Sequence, residues 1–174
     1  MKKRLDYAAS FDRLKKSDGL QGGAKPDVVE RPRPDAADPG PYYSRTELLK
    51  NDLSRLTLPG LYAARCDFRG VDFAGSDLHL STLCWNEFLL CDFRGADLSR
   101  CDLRASNFQK CSFAKGTLDG CDLRHATFEA CEFTDATMKG AVLTNGQRKK
   151  LPLSDAQVKE IEWVDLGGAF PDGA

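Results

Sequence analysis

The sequence predicts an all-β solenoid with four short walls per coil and about four to five coils, and two observations predict it. From Phe68 to Leu143 every fifth residue is large and apolar, with sixteen consecutive matches. The order Phe, Phe, Leu, Leu recurs four times with one substitution, Met138, so the larger unit is twenty residues. A period of five fits neither a helix nor a strand. It fits a coil in which each wall points one large side chain inward, and the expected core is Phe68, Phe73, Leu78, Leu83, Phe88, Phe93, Leu98, Leu103, Phe108, Phe113, Leu118, Leu123, Phe128, Phe133, Met138 and Leu143.

The residues beside these core positions agree with such a coil. Two residues before each core residue the side chain is small, as a narrow interior requires, and Asn86 is the exception. Asp often directly precedes the core residue, and Gly often lies two residues after it, where a corner needs unusual backbone angles. Because parallel hydrogen-bonded layers lie about 4.8 Å apart, residues twenty apart are expected to stack.

Two short segments show the repeat most clearly. Residues 96–100 (Ala-Asp-Leu-Ser-Arg) and 101–105 (Cys-Asp-Leu-Arg-Ala) resemble the pentapeptide-repeat family, whose consensus is Ala-(Asp/Asn)-Leu-x-x. The resemblance covers residues 58–145 and implies a right-handed quadrilateral β-helix. It implies no particular chemistry, because the fold carries many roles and function belongs to sites placed on it.

The N-terminal residues 1–43 are expected to form a short amphipathic helix followed by a disordered linker. An apolar stripe predicts the helix, which either docks on the β-helix or binds a partner or a membrane surface; its members are Leu5, Tyr7, Ala8, Phe11 and Leu14. Residues 18–43 are punctuated by Gly and Pro and have no apolar period. Such a stretch buries too little surface to order itself.

Helical caps are predicted at both ends of the coil. Ser44 and Glu47 form a capping-box motif, so residues 44–57 are expected to be an N-terminal cap with a short helix, although Leu53 and Leu58 also keep the five-residue frame. Residues 146–174 contain a second such motif at Ser154 and Gln157. There we expect a cap helix and then a disordered tail.

Charge and hydropathy limit the possible partners. The formal net charge is −1, and residues 61–145 hold nine Lys or Arg against twelve Asp or Glu, a balance of −3. No bulk field therefore favours nucleic acid or an anionic membrane. The sequence contains no run of eighteen apolar residues, so it predicts no membrane-spanning helix. The basic N-terminus is not followed by the apolar segment of a secretory signal. A cytoplasmic location is expected.

The seven cysteines are interpreted mainly as packing residues. Six of them occupy the small inward position, where stacked side chains would be about 4.8 Å apart. A disulfide needs a Cβ separation of about 3.8 Å. A metal site is the alternative, but spacings of ten do not match zinc motifs. We expect reduced thiols, no metal and no cofactor.

One stretch of the repeat places large apolar residues outward. Trp85, Leu89 and Leu90 are expected on adjoining walls. Either the N-terminal segment covers them or they bind a partner, since exposed aromatic clusters are typical binding hot spots. If they do not bind the partner, the outward Arg100, Arg104 and Arg124 are the next candidates.

The pattern predicts a protein that is not an enzyme. His79 and His125 fall on different walls, and Cys84 has no base beside it. A protein-binding scaffold or adaptor is the first function class, and a DNA-mimicking regulator of DNA gyrase and other type II topoisomerases is the alternative. Such a mimic needs a long acidic rod, which this charge balance does not provide.

Residues 83–86 (Leu-Cys-Trp-Asn) look like a segment of small pentapeptide-repeat proteins from bacterial type VI secretion clusters. That resemblance implies an adaptor, chaperone or immunity role with a secreted effector or spike protein as partner. The expected partner is therefore another protein and not a nucleic acid, with the chain itself a monomer or a homodimer.

Overall fold

The computed structural model describes residues 3–17 and 42–165. They form a parallel β-solenoid of about six turns with a helix near each end. The elements are α1 (Tyr7–Ser17), β1 (Tyr42–Ser44), β2 (Glu47–Leu49), β3 (Tyr62–Ala64), β4 (Asp67–Arg69), β5 (Glu87–Leu89), β6 (Asn107–Gln109), β7 (Thr127–Glu129), β8 (Val142–Thr144), a 3₁₀ turn (Asn145–Gln147), α2 (Asp155–Glu160) and β9 (Glu162–Val164).

The coil has four walls, and residues twenty apart are neighbours on each. Wall 1 is a five-stranded parallel sheet in the order β2-β4-β5-β6-β7, in which Phe68 pairs with Phe88 and Phe88 with Phe108. Single bridges join successive coils on wall 2 (from Asp52 to Glu132) and wall 3 (from Thr57 to Thr137). Wall 4 carries the β1-β3 and β8-β9 pairs. The predicted twenty-residue register is confirmed.

The predicted core residues point inward and stack. Fifteen of the sixteen are at most 2 % exposed, and Phe128 is partly buried because no strand covers it at the open end of wall 1. The rings of Phe88 and Phe108 are parallel with centroids 4.8 Å apart, and Phe88 meets Phe93 edge to face at 5.5 Å. Both geometries are favourable for aromatic pairs.

Each corner of the coil has a residue with a left-handed backbone. Twenty residues at five-residue intervals, from Arg45 to Gly140, have φ between 51° and 67°. Six of them are glycine, which adopts this region without strain. The sequence therefore predicted the glycine corners correctly, but fourteen non-glycine residues take the same conformation.

The frequent Asp before each core residue has a local structural role. Its Oδ1 accepts the backbone N–H of the residue two positions later, at 2.8–3.3 Å, in Asp52, Asp72, Asp77, Asp92, Asp97, Asp102 and Asp122. This side-chain bond satisfies a donor at the bend and is the usual reason for Asp at turns.

The predicted N-terminal cap at residues 44–57 is wrong. β1 and β2 are strands there, Ser44 starts no helix, and Leu48, Leu53 and Leu58 fill core positions. Parallel pairing with the next coil outweighs the local capping motif, and the left-handed corners at Arg45 and Lys50 are incompatible with a helix. The β-helix consequently begins at about residue 42 and has about six turns, more than the four to five expected.

The N-terminal helix docks on the β-helix, which was one of the two predicted alternatives. Leu14 is 1 % exposed, Thr57 N–H donates to Ser10 Oγ at 2.8 Å, and Thr57 Oγ1 donates to the Leu5 carbonyl at 2.6 Å. Arg13 also pairs with Asp52. Most of the predicted linker, residues 18–41, and the side chain of Phe11 lie outside the described residues.

A short helix, α2, follows the capping motif at the C-terminal end, and two glutamines complete that end of the coil. Ser154 and Gln157 form the expected capping box on α2. Gln157 Nε2 donates to the carbonyls of Phe133 and Ala136 at 2.8 and 2.9 Å. Gln147 Nε2 does the same for Leu123 and Ala126 at 3.0 and 2.7 Å. The predicted disordered tail, residues 167–174, lies outside the described residues.

Candidate functional site

Three large apolar side chains occupy successive corners of one coil. Leu80, Trp85 and Leu90 are 43 %, 57 % and 59 % exposed and have φ of 60°, 60° and 57°. The other seventeen left-handed corners carry Gly, Ala, Arg, Lys, His or Asp. We call Leu80, Trp85, Leu90 and the half-buried Leu89 between the last two the apolar belt.

The predicted residues Trp85, Leu89 and Leu90 follow wall 1 of one coil, with Trp85 and Leu90 at its two corners and Leu89 on the strand between them. Trp85 precedes β5, Leu89 ends it, and Leu90 forms the next corner. β5 is the central strand of the five-stranded sheet, so Leu89 lies on the middle strand of this wall. Leu80 lies one corner before Trp85.

The docked N-terminal helix leaves this region open. Its hydrogen bonds and ion pairs reach residues 52–57, 75 and 77 on walls 2 and 3. Trp85 lies at the corner between walls 4 and 1 and is more than half exposed. Among the described residues, the N-terminal segment therefore does not cover the belt.

A shallow groove runs beside Trp85 along the edge of wall 1. Arg45 and Arg65 occupy the same corner column as Trp85 in the two preceding coils, and Glu47, Asp67 and Glu87 form the next column. The residues that line the groove are Arg45, Thr46, Glu47, Arg65, Cys66, Asp67, Arg69, Trp85 and Glu87. They present three positive and three negative charges beside one aromatic ring.

The predicted arginines are separated into two places. Arg104 and Arg124 lie one coil apart on wall 4, paired with Asp102 and Asp122 at 2.8 and 2.7 Å. Burial alone would raise the pKa of the Asp122 carboxyl, but hydrogen bonds and charge from Arg124 hold it below its usual value. Arg100 is at the corner after wall 3. Arg104 and Arg124 thus meet their charge partners within the chain.

Asn86 is a structural residue, and the sequence did not show this. It is 1 % exposed; its Nδ2 donates to the Ala63 carbonyl and its Oδ1 accepts the Cys66 N–H, both at 2.8 Å. At many other corners the equivalent N–H donates directly to the carbonyl three residues earlier, as Ala96 N–H does to the Phe93 carbonyl at 3.0 Å. The carboxamide from one coil therefore completes a corner of the coil before it.

A second polar cluster, on wall 3, was missed by the sequence reasoning. Asp77, His79 and Asp97 have donor atoms that all lie within 4.8 Å of one another. The signal was present, because Asp77 and Asp97 are twenty residues apart and His79 lies two residues after Asp77. The cysteine spacing, by contrast, matches no zinc motif and gives no indication of this cluster.

Comparisons with known proteins agree with this geometry. The family model "Pentapeptide repeats" matches eight copies over residues 87–124 and 106–145. Residues 87–145 are thus pentapeptide repeats. Proteins of this family are structural and often serve as protein-binding scaffolds, and the fold is generally non-catalytic. No curated protein sequence matches the chain significantly.

Solved structures of other pentapeptide-repeat proteins share the fold. HetL, involved in heterocyst differentiation regulation in the cyanobacterium Nostoc sp. strain PCC 7120, aligns with a TM-score of 0.56 and 23 % identity over 59 % of this chain and 48 % of HetL. This pentapeptide-repeat protein thus spans about half the length of HetL, and the likeness establishes the fold alone.

Two further structures are more distant. A protein of the Arabidopsis thaliana thylakoid lumen has a TM-score of 0.36 and 28 % identity over 69 % of this chain and 79 % of its own. QnrB1, a plasmid-mediated fluoroquinolone resistance protein, has a TM-score of 0.25 and 17 % identity over 71 % of this chain and 84 % of its own. Such TM-scores establish no shared function.

The structure of this pentapeptide-repeat protein bears on two predictions, the absence of a membrane-spanning helix and the reduced state of the cysteines. Within residues 3–17 and 42–165, no helix has the length and apolar character needed to cross a bilayer. All seven cysteines are free thiols, and Cys84 is half-buried while the other six are buried. Cys121 Sγ lies 2.8 Å from the Leu98 carbonyl, and burial raises the pKa of this thiol to about 12.

We expect one fast-reacting thiol in the native protein. The thiolate is the reactive form, and only Cys84 is accessible, although burial and the charge of Asp102 raise its pKa. Titration with Ellman's reagent should modify one thiol readily and the remaining six of the seven only after unfolding in urea. Cys84→Ser should abolish the native reaction. Rapid modification of several thiols in the folded protein would contradict this packing role.

Proposed function

We propose that this protein is a non-enzymatic binding scaffold and that the apolar belt is its protein-docking surface. The observation that supports this most is the placement of Leu80, Trp85 and Leu90 at successive left-handed corners. Seventeen other corners share this backbone conformation, so the large apolar side chains are what distinguish these three positions. Their exposed apolar surface is unfavourable in water, and a bound partner would remove it from water.

The composition of the belt fits a binding hot spot. Hot spots are enriched in Trp and are surrounded by polar residues that exclude water. Trp85 has Arg65 and Glu87 beside it in the groove of wall 1. Since the belt lies on a hydrogen-bonded coil that is already ordered, binding costs little conformational entropy.

The cellular role we propose is that of a cytoplasmic adaptor. Seven free thiols fit a reducing compartment, and the resemblance of residues 83–86 to proteins of type VI secretion clusters favours a secreted effector or spike protein as partner. A rigid rod with one apolar belt suits the capture of a single client protein.

The DNA-mimicking alternative receives less support from the charges. Asp67, Asp92, Asp102 and Asp122 each pair with an arginine two residues later. These ion pairs neutralise the carboxylates that would otherwise form an acidic stripe. A DNA mimic depends on such a stripe for its negative field.

Trp85→Ala is expected to weaken partner binding without unfolding the rod. Loss of a hot-spot aromatic costs more than about 2 kcal/mol, which corresponds to a roughly thirtyfold increase in Kd. The partner would first be identified by affinity purification from the native cell and mass spectrometry. Calorimetry with the purified partner and circular dichroism of each variant would then separate binding from folding.

Lys110→Ala is the matched control, because Lys110 occupies the same corner column as Leu90 one coil later and has φ of 54°. It should bind the partner with wild-type affinity. Unchanged affinity of Trp85→Ala would place the interface elsewhere, and unfolding of Trp85→Ala would make Trp85 a structural anchor. Either result would reject the belt as the docking surface.

A further inference from the structure

Wall 3 carries a cluster of one imidazole and two carboxylate side chains outside the apolar belt. His79 Nδ1 lies 2.6 Å from Asp77 Oδ1. Asp97 lies one coil later, and its backbone pairs with that of Asp77 in a parallel β-bridge. The donor atoms of all three side chains lie within 4.8 Å of one another. The Asp77 side chain is 17 % exposed and that of His79 38 % exposed, so the cluster is partly enclosed and still open to solvent.

The two carboxylates of this cluster lack the arginine that pairs with four other aspartates of the coil. Asp67, Asp92, Asp102 and Asp122 have an arginine two residues later that pairs with the carboxylate. At the corresponding positions after Asp77 and Asp97 the chain has His79 and Ser99. Two stacked carboxylates at an inter-coil spacing of about 4.8 Å repel each other, and neither has an arginine on its own strand.

One cation already approaches the cluster from the N-terminal segment. Arg4 Nη1 lies 3.8 Å from Asp77 Oδ2, while Arg4 Nε donates to the Gly75 carbonyl at 2.9 Å. The ion pair is long, and the Arg4 side chain is 41 % exposed. Arg4 thus neutralises the site incompletely and can be displaced from it.

We propose that Asp77, His79 and Asp97 form a binding site for a divalent transition-metal ion with the preferences of zinc. Imidazole favours zinc and similar metals over magnesium or calcium. Two carboxylates supply the negative charge that the ion needs. Tetrahedral bonds of about 2.0–2.1 Å place ligand atoms about 3.3 Å apart, so modest side-chain rotations bring these donors into position. The fourth ligand is water, because the wall is open at this point.

Calorimetric titration of the full chain with ZnCl₂, under reducing conditions, tests this site. We expect one bound ion per chain and a loss of at least about tenfold in affinity in His79→Gln or Asp97→Asn, since even outer-shell partners of a metal contribute 10–100-fold. Asp97 accepts the Ser99 N–H at 2.9 Å. The carboxamide oxygen introduced by Asp97→Asn can accept the same bond, so this variant should stay folded. CoCl₂ is the spectroscopic probe, and an intense visible absorption would report a four-coordinate site.

Three further variants locate the ion. His125→Gln removes the other histidine and Cys84→Ser the accessible thiol; both should bind zinc as the wild type does. Arg4→Ala should tighten binding because it removes the competing cation. The assignment is overturned if zinc and cobalt do not bind, if His79→Gln and Asp97→Asn bind unchanged, if Cys84→Ser or His125→Gln loses the ion, or if Arg4→Ala binds it more weakly.

Discussion

Replacing Phe108 with alanine is expected to destabilise the protein by about 3–5 kcal/mol, the usual range for Phe→Ala in a core. Phe108 is fully buried, and its ring stacks between Phe88 and Phe128 with centroids at 4.8 and 5.0 Å. Phe113 also contacts it edge to face at 5.3 Å. The stacked rings sit on hydrogen-bonded strands of fixed spacing, so the neighbouring coils cannot collapse into the cavity.

Urea unfolding followed by circular dichroism measures this effect. Gln109→Ala is the matched control, because Gln109 is the next residue on β6 and points outward. Its replacement should change the free energy of unfolding by no more than about 0.5 kcal/mol. Equal urea midpoints for the two variants would show that the inward and outward registers are misassigned.

Asn86→Ala should be the most destabilising change of a polar residue. The substitution leaves the Ala63 carbonyl and the Cys66 N–H without the partners that Asn86 provides at 2.8 Å. An orphaned buried group costs about 1–3 kcal/mol, so the two together should cost about 2–6 kcal/mol. The adjoining corner has the same design, because Ser106 Oγ donates to the Leu83 carbonyl and accepts the Asn86 N–H.

Asn107→Ala provides the comparison for this prediction. Asn107 is on the next coil and makes two side-chain hydrogen bonds, to Glu87 at 2.8 Å and from Thr127 at 2.7 Å, but these are exposed to solvent. Water replaces exposed hydrogen bonds, so a loss of no more than about 0.5 kcal/mol is expected. If thermal melts showed the same loss for both variants, the corner-completing role of Asn86 would be wrong.

The coil and its register were predictable because they depend on a repeated local pattern. Each core residue from Phe68 to Leu143 follows the last by five positions, and this spacing alone determines which side chains point inward. The belt was also visible in part, since Trp85, Leu89 and Leu90 interrupt an otherwise polar outer surface. Their exposure could be inferred once the inward positions were assigned.

The start of the coil was mispredicted because two local signals disagreed. Ser44 and Glu47 match a helix-capping motif, while Leu48 and Leu53 keep the five-residue frame. The pairing of β2 with β4 decides between them. That pairing forms hydrogen bonds between residues twenty positions apart. A motif of four neighbouring residues carries no information about such bonds.

The sequence by itself determined the four-walled coil, its core and its corners, because all of these follow from a period that repeats along the chain. Only the tertiary structure decided that α1 docks on walls 2 and 3, that Asn86 completes the corner at Ala63, and that Asp77, His79 and Asp97 converge. The docking of α1 and the convergence of Asp77, His79 and Asp97 do not recur along the described coil, and the corner that Asn86 completes has a counterpart only where another polar side chain takes the small inward position, as Ser106 does. A periodic pattern predicts which residues share a column, but the side-chain geometry of a single contact depends on how the folded coils meet.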